Sequence, residues 1–185
     1  ILSDIEDESE TEEAFKYRMS IAKDLYSCAS EQGLGDASNE LALGLLFHKK
    51  YSEALVALHR GTKNGHDSSA RRLSKAFGGK YKNDDMYFLN IPEDKERSRR
   101  YEIIAKYLSR YDYLHPKVPD LDEIVPLPPA KLPEWDGKIA FQRWYEGEAP
   151  PKPSEALMQK LANQAGLRVD NGLDLETNLP KSVKK

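Results

Sequence analysis

Sliding the chain against itself is the test that most restricts its fold, because arrays of helix pairs reveal themselves only through a recurring register. An offset of 32 sets Gly33 on Gly65, Ser38 on Ala70, Leu41 on Leu73 and Leu45 on Phe77, and places Ala29 on Gly61. Small residues at the first positions let two antiparallel helices come close, while Leu and Phe fill the space between them. The intervening residues have helical spacing. Ala14, Tyr17, Ile21, Leu25 and Cys28 make one stripe that stops at Gly33 and Gly35. Segments 37–48, 51–63 and 69–77 repeat the pattern, and Lys95 to Tyr113 adds a helix with Tyr101, Ile104, Ala105 and Leu108 on one face. The expected fold class is all-α, a short solenoid of antiparallel helical hairpins over 14–114.

The array cannot continue past His115, since nine of the eleven prolines lie between Pro116 and Pro153. Proline fixes φ and lacks the backbone donor, so the proline-rich segment over 115–153 is expected to run extended. Val118, Leu121, Ile124, Val125, Leu127 and Leu132 make it too apolar for a free linker, and it is expected to pack along the helices. Within it, Lys138 to Tyr145 is expected to add a strand or small hairpin carrying Phe141, Trp144 and Tyr145. A C-terminal helix and tail occupy 154–185, with Ser154 as N-cap of a helix over 155–165 and Gly166 as its stop. At the other end, 1–13 reads as an acidic flexible arm, with seven carboxylates between Ser3 and Glu13.

Composition narrows the function classes. The 185 residues carry a net charge of −3 with a mean hydropathy of −0.72, and no stretch approaches the roughly 20 apolar residues of a membrane span. Neither nucleic acid nor an anionic membrane is drawn to such an overall charge. A lone Cys28 excludes an intramolecular disulfide and a multi-cysteine zinc site, and is expected to pack as a small hydrophobe. The opening Ile1-Leu2-Ser3 in place of Met is expected of a chain that has lost an N-terminal piece, either by deliberate truncation or to a signal peptidase; the second favours the periplasm, with the cytoplasm as the alternative.

No phosphate-binding loop, dinucleotide fingerprint or nucleophile elbow is present. His48, His59, His66 and His115 share no metal-ligand spacing with acids or with Cys28 and are expected to be solvated or capping residues. No catalytic, cofactor or metal residue is therefore assigned. His115, Lys117 and Asp122 fit the H-x-K-x4-D pattern of phospholipase D enzymes, but those need two copies for one site and this chain has one. The acid pairs Asp84-Asp85 and Asp120-Asp122 read as solvated or turn residues, and Lys95 with Arg97 to Arg100 as an ion-paired helix face. The interruption over 80–94 gathers Met86, Tyr87 and Phe88. Insertions of this kind collect on one face of a repeat array, often the binding face. Partner-binding anchors are therefore expected at Met86, Tyr87 and Phe88, with Trp135 and Trp144 behind them.

Ala29-x3-Gly33-x3-Ala37-x3-Leu41-x2-Gly44, followed by Tyr51-x2-Ala54, Gly65 and Ala70, resembles the Sel-one-like repeats, relatives of the tetratricopeptide repeats. His115 through Gly137, HPKVPDLDEIVPLPPAKLPEWDG, further resembles the C-terminal region of certain bacterial Sel-one-like proteins. Some of these resemble cognate immunity proteins encoded beside type VI secretion lipase effectors of the phospholipase D type. The resemblance implies a non-enzymatic protein that binds a cognate toxin and neutralises it by occluding its cleft or blocking a movement. The alternative is a general scaffold or adaptor built on the same array.

Overall fold

The structure, a computed structural model, describes residues 10–82 and 85–180. Most of the acidic arm expected over 1–13 lies outside the described residues. The described residues fall into two compact units that divide between Glu146 and Gly147.

The first unit contains α1 (Glu12–Glu31), α2 (Gly35–Phe47), α3 (Tyr51–Lys63), α4 (Asp67–Phe77), α5 (Lys95–Arg110), α6 (Leu121–Ile124) and α7 (Ala140–Glu146). Among the described residues there is no strand, and α1 to α5 pack on one another in chain order. This is the all-α stack of helical hairpins that the 32-residue register leads one to expect. Leu58, Leu73, Phe77, Tyr101, Ile104 and Leu108 are buried between the helices, with the Phe77 and Tyr101 rings stacked at 5.7 Å. Full burial of such a side chain stabilises the fold by roughly 1.5–3 kcal/mol. Gly61 shows what the small positions do: a Cβ there would lie 2.5 Å from Ser69 Oγ and 3.2 Å from Ser38 Cβ, so α3 meets both neighbouring even-numbered helices without a side chain. His66 starts α4, its Nδ1 accepting from the Ser69 N–H at 3.1 Å, and Asp94 starts α5 by accepting from the Arg97 N–H at 2.9 Å.

Three helices, α1, α7 and α5, differ from what the sequence led one to expect. The stripe of α1 does not mark its buried face: Tyr17 is 71% exposed, Leu25 and Cys28 are also exposed, and α1 instead buries Ala22 and Ser30. As the first helix of the stack it packs among the described residues mainly on α2, so a second apolar stripe is left exposed, and Cys28 meets Gln32 instead of the core. Lys138 to Tyr145 contains no strand or hairpin, since Ala140–Glu146 is helical. Phe141, Trp144 and Tyr145 follow helical spacing, the Asp120 carboxylate accepts from the Ala140 N–H at 2.8 Å, and Lys138 bonds Glu146 at 2.7 Å across the turn. Finally, the basic run of α5 is only partly a surface feature. Arg99 pairs with Glu96 at 2.7 Å outside, while Arg97 and Arg100 are buried.

Those two arginines fasten the proline-rich strap over 115–139. Pro-rich backbone has carbonyls but few N–H groups, so it cannot pair with itself and its buried acceptors need outside donors. Arg97 donates to the carbonyls of Pro126, at 3.1 Å, and Ala130. Arg100 donates to those of Ile124 at 2.6 Å and Pro133 at 2.7 Å. The charges are compensated on α5 itself: Arg97 bonds Asp94, and Arg100 bonds Glu96 at 2.8 Å. Hydrogen bonds from Arg99 and Arg100 hold the Glu96 carboxyl down at about 2. Between these ties the strap buries Val118, Leu121 and Val125 completely. It is not extended throughout, because Leu121–Ile124 forms one helical turn.

The second unit holds α8 (Glu155–Ala165). Ser154 accepts from the Leu157 N–H at 3.2 Å, and Gly166 ends the helix at φ +67°. Both are the residues that the sequence marked for those roles.

Candidate functional site

The surface made by α4 and the insertion combines aromatic area with cations. Leucine and phenylalanine positions of α4 turn inward, which leaves Arg71, Arg72 and Lys75 on its outer side. Leu89 anchors the insertion in the core, and Phe88 packs edge-on against Tyr51 at 5.3 Å. Tyr87 lies half-buried over α4: Lys75 Nζ is 4.0 Å and the Arg72 guanidinium 5.6 Å from its ring centroid. Lys75 pulls the Tyr87 hydroxyl below its ordinary pKa, with smaller help from Arg72 and Arg71. Tyr81 tilts against Tyr87 at 5.0 Å, Arg72 donates to the Met86 carbonyl at 3.3 Å, and the Met86 side chain is 60% exposed. Met86, Tyr87 and Phe88 are thus brought together, with Phe88 partly committed to the fold and Met86 left open.

The two tryptophans have different surroundings. Trp135 is half-buried against the core, donates its indole N–H to the Lys138 carbonyl at 2.7 Å and receives the Arg100 guanidinium at 5.6 Å over its ring. It pins the strap. Trp144 is 69% exposed on α7, with Phe141 at 5.5 Å. Phe141 continues through Tyr145 and Tyr111 to Tyr107 in a row of ring contacts of 4.7–6.3 Å.

The H-x-K-x4-D residues are divided between two places. His115 and Lys117 line a cleft of about 480 Å³ with Gly33, Asp36, Asn64 and His66. Lys117 donates to the Gly33 carbonyl at 3.4 Å, and His66 lies 3.3 Å from Asp36. Asp122 does not line that cleft; it accepts from Lys63 and from His59 Nε2 at 2.8 Å. His59 is the residue that sequence reasoning missed. It is buried, and its Nδ1 meets Tyr101 Oη at 2.7 Å. Burial lowers the His59 pKa, so the imidazole is neutral and has one donor and one acceptor. The carboxylate can only accept, which puts the proton on Nε2 and makes Nδ1 the acceptor for Tyr101. The Lys63 bond, followed by that from His59, lowers the Asp122 pKa. Although a tyrosine, a histidine and an aspartate stand in line, Tyr101 is fully buried, so no substrate reaches its hydroxyl. What the row does is tie α3, α5 and α6 together. The signal for it was the four-residue spacing of His59 and Lys63, which lets both reach one carboxylate.

Among the described residues, no group of three or more His, Cys, Asp or Glu side chains could hold a metal ion, and no helix is long and apolar enough to cross a membrane. Neither the curated proteins nor the solved structures offer a match to the chain. One family model does match, over residues 69–177, from α4 through the insertion, the strap and α8. That is more than half of the sequence, and the chain belongs to the family described as a domain of unknown function, DUF6396.

Proposed function

We propose that this chain is a non-enzymatic protein-binding module, an immunity protein that neutralises a cognate type VI secretion toxin of phospholipase type. The observation that carries the reading is the surface of Met86 and Tyr87 against the Arg72 and Lys75 side chains, held on a stack of helices that has little entropy to lose on docking. The Sel-one-like resemblance of the repeats and of the segment after His115 supplies the class of partner. Occlusion of the toxin's cleft, or a block on its movement, would then protect the producing cell. A toxin acting in the periplasm requires its inhibitor there, so export belongs to the same proposal.

The test is co-expression with a phospholipase D-type effector encoded beside this chain. A stable complex and suppressed phosphodiester release from lipid are expected. Several loose partners and no inhibition would favour the scaffold reading. Lipid hydrolysis by the chain itself, abolished in His115→Ala, would overturn the non-enzymatic reading.

A further inference from the structure

The row of rings that joins α5 to α7 has an inner and an outer half. Tyr107 and Phe141 pack against the core, and Tyr111 meets Tyr107 at 4.7 Å, so the inner rings fasten α7 to α5. The outer rings are spent differently. Tyr113 is 68%, Trp144 69% and Tyr145 47% exposed, although each lies 5.5–6.4 Å from Tyr111 or Phe141. At 150–250 Å² a ring, they leave roughly 300–450 Å² of linked aromatic surface in water. A patch of roughly that size on a single chain is often functional, yet it is well short of the roughly 800 Å² that each side of a stable protein interface buries. It is the size for a short segment, not for a second folded body.

Folds take up short apolar segments as a strand on a sheet edge, as a helix in a groove, or as polyproline II on an aromatic surface. Among the described residues there is no strand, and rings more than two-thirds exposed stand out from the surface and enclose no groove for a helix. Polyproline II suits what is there. Its rings are apolar, its carbonyls have no internal donors, and it repeats one face every three residues, about 9 Å, close to two steps along the row. Tyrosine hydroxyls and the Trp144 indole N–H are donors for such carbonyls, as Arg97 and Arg100 are for the proline-rich strap of the chain itself. We infer that Tyr111, Tyr113, Trp144 and Tyr145 bind a proline-rich protein segment in the polyproline II conformation, with prolines seated between neighbouring rings. Single-stranded nucleic acid also stacks on aromatic rings, but along a basic groove. Here Lys138 and Arg143 pair with Glu146 and Asp136, and the Arg110 guanidinium lies over Tyr111 at 5.9 Å. The site is built from other elements than the insertion surface and does not draw on the toxin reading.

The test uses the full chain and a short fluorescein-labelled polyproline peptide in fluorescence anisotropy. Saturable binding that salt leaves nearly unchanged is expected, with at least about tenfold loss in Trp144→Ala and in Tyr113→Ala. Trp144→Phe keeps a ring without the N–H and should lose less than Trp144→Ala. Both alanine variants change exposed side chains, and their urea midpoints should match that of the parent chain, which separates lost affinity from lost fold. Phe47→Ala removes a ring that is 84% exposed on α2 and should bind like the parent. No saturable binding, an equal loss in Phe47→Ala, or equal affinity for a glycine–serine peptide of the same length would overturn the inference. So would tighter binding of a single-stranded oligonucleotide or a soluble oligosaccharide that Trp144→Ala weakens, or a dimer of the chain in sedimentation that Trp144→Ala dissolves.

Discussion

Two stretches interrupt the helix stack, the insertion over 80–94 and the strap over 115–139, and the fold treats them differently. Both bring apolar side chains and backbone without regular partners. The strap has its carbonyls answered by Arg97 and Arg100, and Val118, Leu121 and Val125 are fully buried. Among the described residues of the insertion Leu89 alone is fully buried, while Tyr87 is half-buried under cations and Met86 stands out. A segment whose polar groups are satisfied from the core acts as structure. A segment anchored at one point leaves side-chain area at the surface, and that area is what the proposed function assigns to a partner.

The comparison fails most visibly if the strap can lose its ties cheaply. Arg100→Ala leaves the Ile124 and Pro133 carbonyls without their donor and removes the cation over Trp135. We expect a loss of about 3 kcal/mol in urea denaturation, with little rescue by Arg100→Lys, which cannot reproduce the fork. The crossing of the strap over the repeat turns gives a finer test. Gly33 and Gly65 occupy equivalent turns at φ +94° and +95°, but an added Cβ would lie 2.2 Å from the Pro116 carbonyl oxygen at Gly65 and 3.1 Å from the movable Lys117 Nζ at Gly33. Gly65→Ala should therefore cost about 2–3 kcal/mol and Gly33→Ala about 1 kcal/mol, the second reporting mainly the backbone conformation. Equal costs would show that the strap does not rest on the second turn.

Smaller effects sharpen the same contrast. Trp135→Ala, which frees an anchored ring, should destabilise by about 2 kcal/mol, while Trp144→Ala should stay within about 0.5 kcal/mol in the same assay. The pH dependence of stability tests the His59 tie. Its pKa is lowered on folding, so below the ordinary value of 6.5 the unfolded chain binds more protons and stability falls as pH drops toward the folded value. Asp94, Glu96 and Asp122 are also lowered, and their contribution, present above their ordinary values of 3.8 to 4.5, is lost as pH falls further. Denaturation series between pH 7.5 and 5 should thus show a falling limb in the parent chain that flattens in His59→Gln, and an unchanged limb would assign it to another group.

Much of the fold could be read in the chain. The register of 32 found the two turns whose glycines share one backbone conformation, and helical spacing gave the bounds of α3 and α8 as the structure has them. Local patterns carry such features, because a turn needing positive φ or a capping serine depends on near neighbours. The roles of Arg97, Arg100 and His59 depend on which distant segment lies over them. In sequence Arg97 is one of a basic run, and only the passage of Pro126 and Ala130 across it turns it into a donor for the strap. The same holds for the stripe of α1, where a good amphipathic pattern says that a face is apolar without saying that anything covers it. At the insertion, the trio of Met86, Tyr87 and Phe88 was visible, but the cations that flank it come from α4 and had no signature of their own.

The most direct measurement is a calorimetric titration of the proposed partner, a phospholipase-type toxin, with the parent chain and with a Met86→Ala, Tyr87→Ala double variant, alongside urea denaturation of both. Affinity is expected to fall about tenfold or more, the scale of one or two interface anchors, while stability changes by less than about 1 kcal/mol. Unchanged affinity in a variant that folds as well as its parent would contradict the claim that the insertion is the binding surface.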